Sequence, residues 1–155
     1  MTPAVDMAKK QKIAHQVHEY KHDPSSIAYG LEAAEKLGID QNRVFKTLVV
    51  STDRGELAVA IIPVANTLSL KAMAKTLKAK KAVMALPKDV ERSTGYVLGG
   101  VSPLGQKKRL LTVIDNSAKD HKTIYVSAGK RGLEIELSTL DLAILTKATL
   151  ADIKS

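Results

Sequence analysis

The sequence predicts one α+β domain whose mixed sheet is curved or closed into a barrel. The chain has 155 residues, a length that suits a single domain with its own hydrophobic core, and 45% of them are hydrophobic. Its strand-like segments outnumber the helical ones and do not alternate with them regularly, which favours an α+β fold over a parallel α/β fold. No linker, internal repeat or low-complexity tract divides residues 1–155.

The N-terminal segment is predicted to form a helix followed by a strand. Thr2 precedes Pro3 in the order of an N-cap and a first helical residue, and this helix is expected to continue to about Lys10. Residues 13–20 suit a strand. The first two elements are therefore predicted from capping chemistry and from β propensity.

A second helix and a β-hairpin are predicted next. Ser25 or Ser26 is expected to cap the helix, and Gly38 lies where a helix-terminating glycine belongs. The apolar face of this helix consists of Ile27, Leu31 and Ala34. The segments VFKTLVV (44–50) and ELAVAIIPV (56–64) are strand-like and are separated by a TDRG turn, which predicts a hairpin.

The rest of the chain is predicted to contain three more strands and three more helices. Ser69 is placed to cap an amphipathic helix with Leu70, Met73, Ala74 and Leu77 inward. A short helix at 87–94 and an irregular Gly-rich segment at 95–105 are expected to follow. The remaining segments are the strands RLLTVID (109–115), TIYVS (123–127) and LEIEL (133–137), the AGKRG connection (128–132), and a late helix (138–147) with Ser138 and Asp141 as a capping pair.

The composition narrows the possible functions. The chain contains no cysteine, which excludes a disulfide scaffold, thiolate metal sites and a cysteine nucleophile and suits the reducing cytosol. No apolar segment has the length of a signal-peptide core or a membrane span, so a cytoplasmic protein is expected. A formal net charge of +8 is compatible with a polyanionic partner such as RNA, although many basic domains bind no nucleic acid.

Lys46 is the first candidate for chemistry because it interrupts the strand VFKTLVV. Both faces of this strand are apolar, which is typical of a central strand with neither side freely solvated. An unpaired ammonium buried there would cost several kcal/mol or lose its proton. Either Lys46 extends its amine to the rim of the sheet, or it provides a cation in a pocket for a phosphate or a developing oxyanion.

The Gly-rich segment GGVSPLGQKKR (99–109) is the second candidate. Consecutive glycines let backbone N–H groups approach an anion or a carbonyl oxygen closely, while a structural turn explains them equally well. The segment lacks the GK[ST] ending of a Walker A loop and the GxGxxG spacing of a dinucleotide site. Its basic residues Lys107, Lys108 and Arg109 either contact phosphates or form a solvated edge.

The segment YVSAGKRGLEIEL (125–137) is the third candidate and is predicted to be a hairpin with Lys130 and Arg131 at its tip. On the return strand, Glu134 and Glu136 face away from three apolar residues. This strand is therefore either half-solvated, or one of its carboxylates orients a cation in a pocket.

The histidines do not predict a metal site. His15 and His18 point to opposite faces of a strand, and neither a cysteine nor an acidic cluster near His22 completes a set of ligands. No G-x-S-x-G elbow supports a Ser-His-Asp triad. We therefore expect no metal, and an enzyme of this sequence is expected to work without an activated protein nucleophile.

Taken in order, the motifs of this chain resemble those of the bacterial YbaK/EbsC family. The segments that carry the resemblance are MTPAV, HDPSS…YG, VFKTLVV, STGYVLGGVSPLGQKKR and TIYVSAGKRGLEIEL, and they extend over essentially the whole chain. The family includes Cys-tRNA(Pro) deacylases and is related to the editing domain inserted in bacterial prolyl-tRNA synthetases. The resemblance implies one α+β domain with a mixed, mostly antiparallel, barrel-like sheet flanked by helices and a pocket for an aminoacylated 3′ adenosine.

The resemblance also implies which residues form the site. Lys46 matches the essential lysine of the family, and Gly99 and Pro103 match a G-x-x-x-P loop whose backbone amides hold the substrate carbonyl. Lys46 and Gly99 are the expected catalytic positions. The expected substrate-binding residues are Tyr20, Tyr29, Thr47, Gly100, Val101, Ser102, Pro103, Ser127, Gly129 and Glu134. The expected tRNA contacts are Lys71, Lys75, Lys107, Lys108, Arg109, Lys130 and Arg131. Tyr29 replaces a common phenylalanine and Glu134 a common aspartate, which puts the size of the pocket in doubt.

The function implied by the resemblance is trans-editing. The enzyme would deacylate Cys-tRNA(Pro), and Cys-tRNA(Cys) as well, through attack by the substrate's own thiol, together with prolyl-tRNA synthetase and without a cofactor. One alternative is an Ala- or Ser-tRNA deacylase of the same family that uses water. The other is a tRNA- or synthetase-binding module without catalysis.

Overall fold

The structure, a computed structural model, describes residues 1–26 and 28–155. Its helices are α1 (Pro3–Lys10), α2 (Tyr29–Leu37), α3 (Leu70–Thr76), α4 (Pro87–Thr94) and α5 (Thr139–Thr146). Its strands are β1 (His15–Glu19), β2 (Phe45–Thr52), β3 (Leu57–Pro63), β4 (Ala82–Met84), β5 (Leu111–Asp115), β6 (Thr123–Lys130), β7 (Leu133–Ser138) and β8 (Thr149–Ala151). Two 3-10 turns, Gln41–Arg43 and Asn116–Asp120, connect strands and helices.

The strands form two sheets that meet where β2 begins. The smaller sheet has the order β1-β7-β6 and is antiparallel throughout. The larger sheet has the order β4-β2-β3-β5-β8, in which β5 pairs in parallel with β3 and β8. A bridge between Val44 and Tyr125 links the two sheets. The predicted mixed, mostly antiparallel, barrel-like α+β fold is confirmed, although the sheets do not close into a continuous barrel.

Capping residues begin three of the helices as predicted. The Oγ1 of Thr2 accepts a hydrogen bond from the Val5 amide at 3.2 Å. Ser69 and Ser138 accept from the third residue after each of them, both at 3.1 Å. Each bond satisfies an amide that has no partner within the helix.

The start of α2 differs from the prediction. The helix begins at Tyr29 after Ala28, which provides no side-chain cap, so neither Ser25 nor Ser26 caps it. Ile27 of the predicted apolar face lies outside the described residues. Gly38 does end this helix, with a left-handed φ of 68° that glycine adopts without a steric penalty.

Two short strands and the length of β6 were not predicted. β4 and β8 have three residues each, too few for a recognisable alternation. β6 continues through most of the predicted AGKRG connection, with a bulge between Ser127 and Lys130, so only Arg131 and Gly132 form the turn. The turn at the tip of the hairpin is therefore shorter than predicted, because β6 extends further towards it.

The largest core cluster lies between the two sheets. Its biggest fully buried side chains include Phe45, Leu104, Ile114, Ile124 and Ile135. These residues hold the start of β2 against the β6–β7 hairpin, which is where the candidate site lies. Among residues 1–26 and 28–155, no helix combines the length and the apolar character that a membrane crossing requires.

Candidate active site

A cavity of about 390 Å³, the main cavity, lies between the start of β2, the start of α2, the Gly-rich segment and the β6–β7 hairpin. Its volume falls in the range of about 300–1,000 Å³ that is usual for small-ligand sites. Ten of the predicted residues line it, namely Tyr20, Tyr29, Lys46, Thr47, Gly99, Val101, Ser127, Lys130, Arg131 and Glu134. The fold therefore brings together residues that are separated by more than 100 positions in the sequence.

Lys46 lies on β2, opposite Ile62 of β3, and is half-buried. Burial lowers the pKa of its amine below the ordinary value, because desolvation disfavours the ammonium form. Among the described residues, no carboxylate forms an ion pair with this amine. Lys46 thus contributes a partly desolvated cation to the cavity without a protein counter-charge.

Thr47 provides a polar atom beside this cation. Its Oγ1 is buried and has no hydrogen-bond partner among the described residues. Buried hydroxyl groups are usually paired, so this unpaired one is an exception close to the cavity that Thr47 lines. Because Lys46 and Thr47 both line the cavity, the cavity reaches both faces of β2 at its start.

The Gly-rich segment places backbone amides at the cavity. The Gly100 N–H donates to the carbonyl of Val97 at 3.0 Å, which closes a turn. The amides of Gly99 and Val101 have no acceptor within the described part of the chain. A Cβ on Gly100 would lie 2.9 Å from the Cα of Lys130, so the segment packs directly on the hairpin backbone. Gly99 and Val101, which both line the cavity, therefore have amides without a protein acceptor, whereas the amide of Gly100 is used in the turn.

Four of the predicted substrate-binding residues do not line the main cavity: Gly100, Ser102, Pro103 and Gly129. Ser102 is fully buried, and its Oγ accepts from the Leu104 amide at 3.2 Å. A Cβ on Gly129 would lie 2.8 Å from the ring of Tyr96, whose hydroxyl donates to the Leu104 carbonyl at 2.7 Å. Burial raises the pKa of Tyr96 to about 12, so this hydroxyl stays a donor. These contacts hold the Gly-rich segment in place.

Glu134 and Ser127 are cross-strand partners on β7 and β6, and both line the cavity. The Glu134 residue is 6% exposed, so of the two interpretations of this strand the half-solvated one does not hold at this position. Burial raises the pKa of its carboxyl to about 8. Burial and then the charge of Glu134 also raise the pKa of Tyr20, which lies nearby. The cavity wall therefore contains a carboxyl group that is mostly protonated at neutral pH.

Arg131 covers the mouth of the cavity. Its guanidinium carbon lies 3.7 Å from the ring centroid of Tyr29, a cation–π contact. A Cβ on Gly99 would lie 2.7 Å from the Nε of Arg131 and 2.8 Å from the ring of Tyr29. The hairpin tip, the start of α2 and the Gly-rich segment therefore meet at one point.

The other basic residues lie away from this mouth. Lys107, Lys108 and Arg109 are exposed, and two of them border a smaller cavity of about 110 Å³ together with Pro103. Lys71 and Lys75 lie on the exposed face of α3. The structure brings Lys130 and Arg131 to the main cavity and leaves these five residues on other surfaces.

Three of the four histidines contact backbone or carboxylate groups. His15 contacts the carbonyl of Ile13, His18 contacts Glu136 at 2.9 Å, and His22 contacts Glu32 at 2.6 Å. Within the described residues, no group of three or more His, Cys, Asp or Glu side chains could hold a metal ion.

Comparison with known proteins decides the family. The model of the aminoacyl-tRNA editing domain matches residues 27–145. EbsC of Enterococcus faecalis, a proposed Cys-tRNA(Pro)/Cys-tRNA(Cys) deacylase, is 38% identical over 152 residues, which cover 98% of this chain and 92% of EbsC. The chain belongs to the YbaK/EbsC family of aminoacyl-tRNA editing proteins. Aminoacyl-tRNA deacylation is therefore its activity class, and tRNA is its substrate.

Two other similar proteins extend the comparison. The uncharacterised protein YwhH of Bacillus subtilis is 28% identical over 112 residues, which cover 72% of this chain and 71% of YwhH. A crystal structure of a proposed trans-editing enzyme for prolyl-tRNA synthetase superimposes with a TM-score of 0.86 at 23% identity, covering 99% of this chain and 95% of that one. This second likeness establishes the shared fold.

Several residues in or next to the site of this member of the YbaK/EbsC family were not predicted from the sequence. Apolar side chains complete the cavity wall, including Phe45, Leu48, Val64 and Leu98. The position of Leu98 immediately before the diglycine was a signal that could have identified it. The His22–Glu32 pair was missed because ten residues separate its members, and no pattern along the sequence joins them.

Proposed function

We propose that this protein is a trans-editing enzyme that removes cysteine from mischarged Cys-tRNA(Pro) and from Cys-tRNA(Cys). The observation that carries the proposal is that Lys46, Gly99 and Val101 line one cavity. Lys46 has no carboxylate partner among the described residues, and the amides of Gly99 and Val101 have no acceptor there. An aminoacyl ester is an activated bond, so correct positioning and stabilisation of the developing charge are sufficient for its cleavage.

The proposed reaction uses the thiol of the substrate. The cysteinyl sulfur attacks the ester carbonyl carbon, and the bond between that carbon and the ribose oxygen breaks. The ribose oxygen takes up a proton and leaves as the free 3′ end of the tRNA, while cysteine leaves as a cyclic thiolactone that water opens. No protein nucleophile takes part, in keeping with the absence of cysteine from the sequence.

We assign the amides of Gly99 and Val101 to the oxygen of the attacked carbonyl. Lys46 then binds the phosphate or hydroxyl of the terminal nucleotide, or it polarises the ester. In either role a substrate anion offsets part of the cost of desolvating its ammonium group. Thr47, Ser127 and Glu134 supply polar groups for the rest of the aminoacyl adenosine.

The proposed setting is the cytoplasm, with tRNA as the substrate and prolyl-tRNA synthetase as the partner. The whole chain, residues 1–155, acts as one deacylase domain without a metal or cofactor. Exposed basic residues near the cavity and on neighbouring surfaces contact tRNA phosphates. Selectivity for tRNA(Pro) comes from the complex with the synthetase.

The test is a side-by-side deacylation assay with Cys-tRNA(Pro), Ala-tRNA(Pro) and Ser-tRNA(Pro), with and without EDTA. The expected result is release of cysteine far faster than release of alanine or serine, unchanged by EDTA. Serine differs from cysteine only by oxygen in place of sulfur, so it is the matched control for the thiol. Equal rates for cysteine and alanine would exclude the thiol mechanism and favour water as the nucleophile. Binding of tRNA without turnover of any substrate would favour a non-catalytic module.

A further inference from the structure

A second set of contacts lies behind the cavity wall and involves two residues that do not line it, His22 and Glu32. We propose that His22 and Glu32 are positioning residues of the editing site, which fix the ring of Tyr29 and, through it, Arg131 over Gly99. The kinetic part of this inference rests on the proposed deacylase function, while its structural part does not.

Glu32 is held by several groups at once. The Nδ1–H of His22 donates to its Oε1 at 2.6 Å, and the amide of Asp23 donates to its Oε2 at 2.9 Å. The amine of Lys36 lies 3.9 Å from the same carboxylate. Burial raises the pKa of Glu32, but these hydrogen bonds outweigh burial and lower the pKa overall, so the group is ionised. The carboxylate therefore ties residues 22 and 23 to α2.

This tie attaches the first turn of α2 to the segment that precedes the helix. Ala28 offers no side-chain acceptor to the first amides of the helix, so the helix start is not fixed from that position. Glu32 lies in the first turn and reaches back to the segment before the helix. Because Tyr29 is the first residue of the helix, its position depends on this contact.

The contacts continue from His22 to the mouth of the cavity. The ring of His22 meets the ring of Tyr29 in an edge contact, with centroids 5.9 Å apart and planes at 65°. Tyr29 supports the guanidinium of Arg131, and both side chains lie where a Cβ of Gly99 would be. One continuous path of contacts thus joins the buried carboxylate of Glu32 to the segment that presents the free amides.

The same chain contains a matched control pair. His18 and Glu136 form a second partly buried His–Glu pair at 2.9 Å, between β1 and β7. This pair contacts Arg43, Thr123 and Tyr125, none of which lines the main cavity. In the register of β1 and β7, His18 also lies opposite Glu134, which does line it. Substitution of either histidine by alanine leaves a carboxylate with one hydrogen bond fewer. Only His22 also contacts the ring of Tyr29, so only His22→Ala removes a contact with that ring.

The kinetic test compares His22→Ala with His18→Ala in deacylation of Cys-tRNA(Pro). The expected result is a loss of about ten- to a hundred-fold in kcat for His22→Ala, since a small displacement of a positioning group costs this much. His18→Ala is expected to lose much less kcat than His22→Ala, because His18 lies opposite Glu134 but has no contact with Tyr29 or Arg131. Equal losses in the two variants, or no loss in His22→Ala, would overturn the proposal. Glu32→Gln, which keeps the size of the side chain, takes the place of His22→Ala if that variant does not fold.

A double-mutant cycle separates positioning from general destabilisation. In the background of Arg131→Ala, the proposal expects His22→Ala to cause little further loss of kcat, because its effect passes through Arg131. If the loss of kcat in the double variant equalled the product of the losses in the two single variants, the proposal would be contradicted.

An NMR measurement on the whole protein does not depend on activity. The Nε–H resonance of Arg131 experiences the ring current of Tyr29, and it is expected to shift in His22→Ala and to stay in place in His18→Ala. An unchanged resonance in His22→Ala would overturn the positioning role even where deacylation is observed. A wild-type protein that releases no amino acid from any tRNA, with the resonance shifting as expected, would instead reject the proposed function alone.

Discussion

The guanidinium of Arg131 stacks on the ring of Tyr29, with its carbon 3.7 Å from the ring centroid. The two residues come from the hairpin tip and from the first turn of α2, and they enclose the space beside the Cα of Gly99. This contact explains why residue 99 has no side chain. It also links the shape of the cavity mouth to the backbone amides that line the cavity.

We predict that Gly99→Ala lowers both stability and deacylation. The new Cβ would lie within 2.9 Å of Arg131 and Tyr29, and the φ of 90° at this position is unfavourable for alanine. Backbone strain of this kind costs about 1–3 kcal/mol, and displacement of the cation–π pair adds to it. Chemical denaturation and initial rates of Cys-tRNA(Pro) deacylation measure the two effects.

Gly55→Ala is the matched control for this prediction. Gly55 also has a positive φ, of 77°, but nothing lies within 4 Å of the Cβ that it lacks. The control is therefore expected to lose stability through strain alone and to keep its activity. If Gly99→Ala lost no more stability and no more activity than Gly55→Ala, the contact with Arg131 and Tyr29 would have no effect at the site.

We predict that Lys46→Met strongly lowers the rate of deacylation without destabilising the fold. Burial already disfavours the ammonium form of Lys46, and methionine has a similar length without the charge. Loss of a group that stabilises developing charge lowers kcat by about 100- to 1,000-fold. The midpoint of urea unfolding is expected to stay the same or to rise.

Lys88→Met makes the same substitution at an exposed position of α4. It is expected to leave both the rate and the midpoint unchanged. Deacylation by Lys46→Met at the native rate would remove the assigned role of Lys46.

Most elements of this fold could be predicted from the sequence because their signals are local. Capping residues predicted the starts of α1, α3 and α5, apolar segments identified β2 and β3, and alternation of apolar and acidic residues identified β7. The start of α2 could not be predicted, because its anchor is Glu32 inside the helix rather than a serine before it. β8 was missed because its three residues are a strand only through pairing with β5.

The site was only partly predictable for a related reason. Lys46 and the diglycine have local signals, namely a charge in an apolar strand and consecutive glycines. The burial of Glu134 has none, since the alternation on β7 looks the same whether that face meets solvent or a second layer. Which amides remain free could not be predicted either, because it depends on the turn between Val97 and Gly100.

We predict that Lys130 contributes to tRNA binding more than Lys71 does. Lys130 is exposed at the main cavity, whereas Lys71 lies on α3 away from it. Loss of one phosphate contact lowers the slope of log affinity against log salt concentration by about 0.7–0.9. Lys130→Ala is expected to show this change in filter-binding titrations, and Lys71→Ala, with the same change of charge, to keep the wild-type slope. Equal changes in both variants would assign the face of α3 to the acceptor stem.

We predict that the free energy of unfolding of the wild type falls as the pH rises, and that Glu134→Gln does not show this fall. The pKa of Glu134 is about 8 in the folded protein against 4.5 for the exposed group, so between these values the folded state binds more protons than the unfolded state. The free energy of unfolding therefore falls with rising pH across this window, by at most about 1.4 kcal/mol per pH unit. Below pH 4.5 both states are protonated and this contribution is constant.

Glu136→Gln, on the same strand, is the control, because the pKa of Glu136 is lowered and its effect on the pH dependence of stability therefore has the opposite sign. Burial raises the pKa of Glu136, but hydrogen bonds from Thr123 and His18 outweigh burial and lower it, so the stability that this carboxylate contributes is lost as the pH falls. Urea denaturation of the three proteins from pH 4 to pH 9 measures both effects. Relative to Glu134→Gln, the wild type is expected to lose stability towards high pH, and relative to Glu136→Gln, towards low pH. A wild type that keeps a constant difference from Glu134→Gln over the whole range would mean that burial does not raise the pKa of Glu134 and that its carboxyl is ionised in the folded protein.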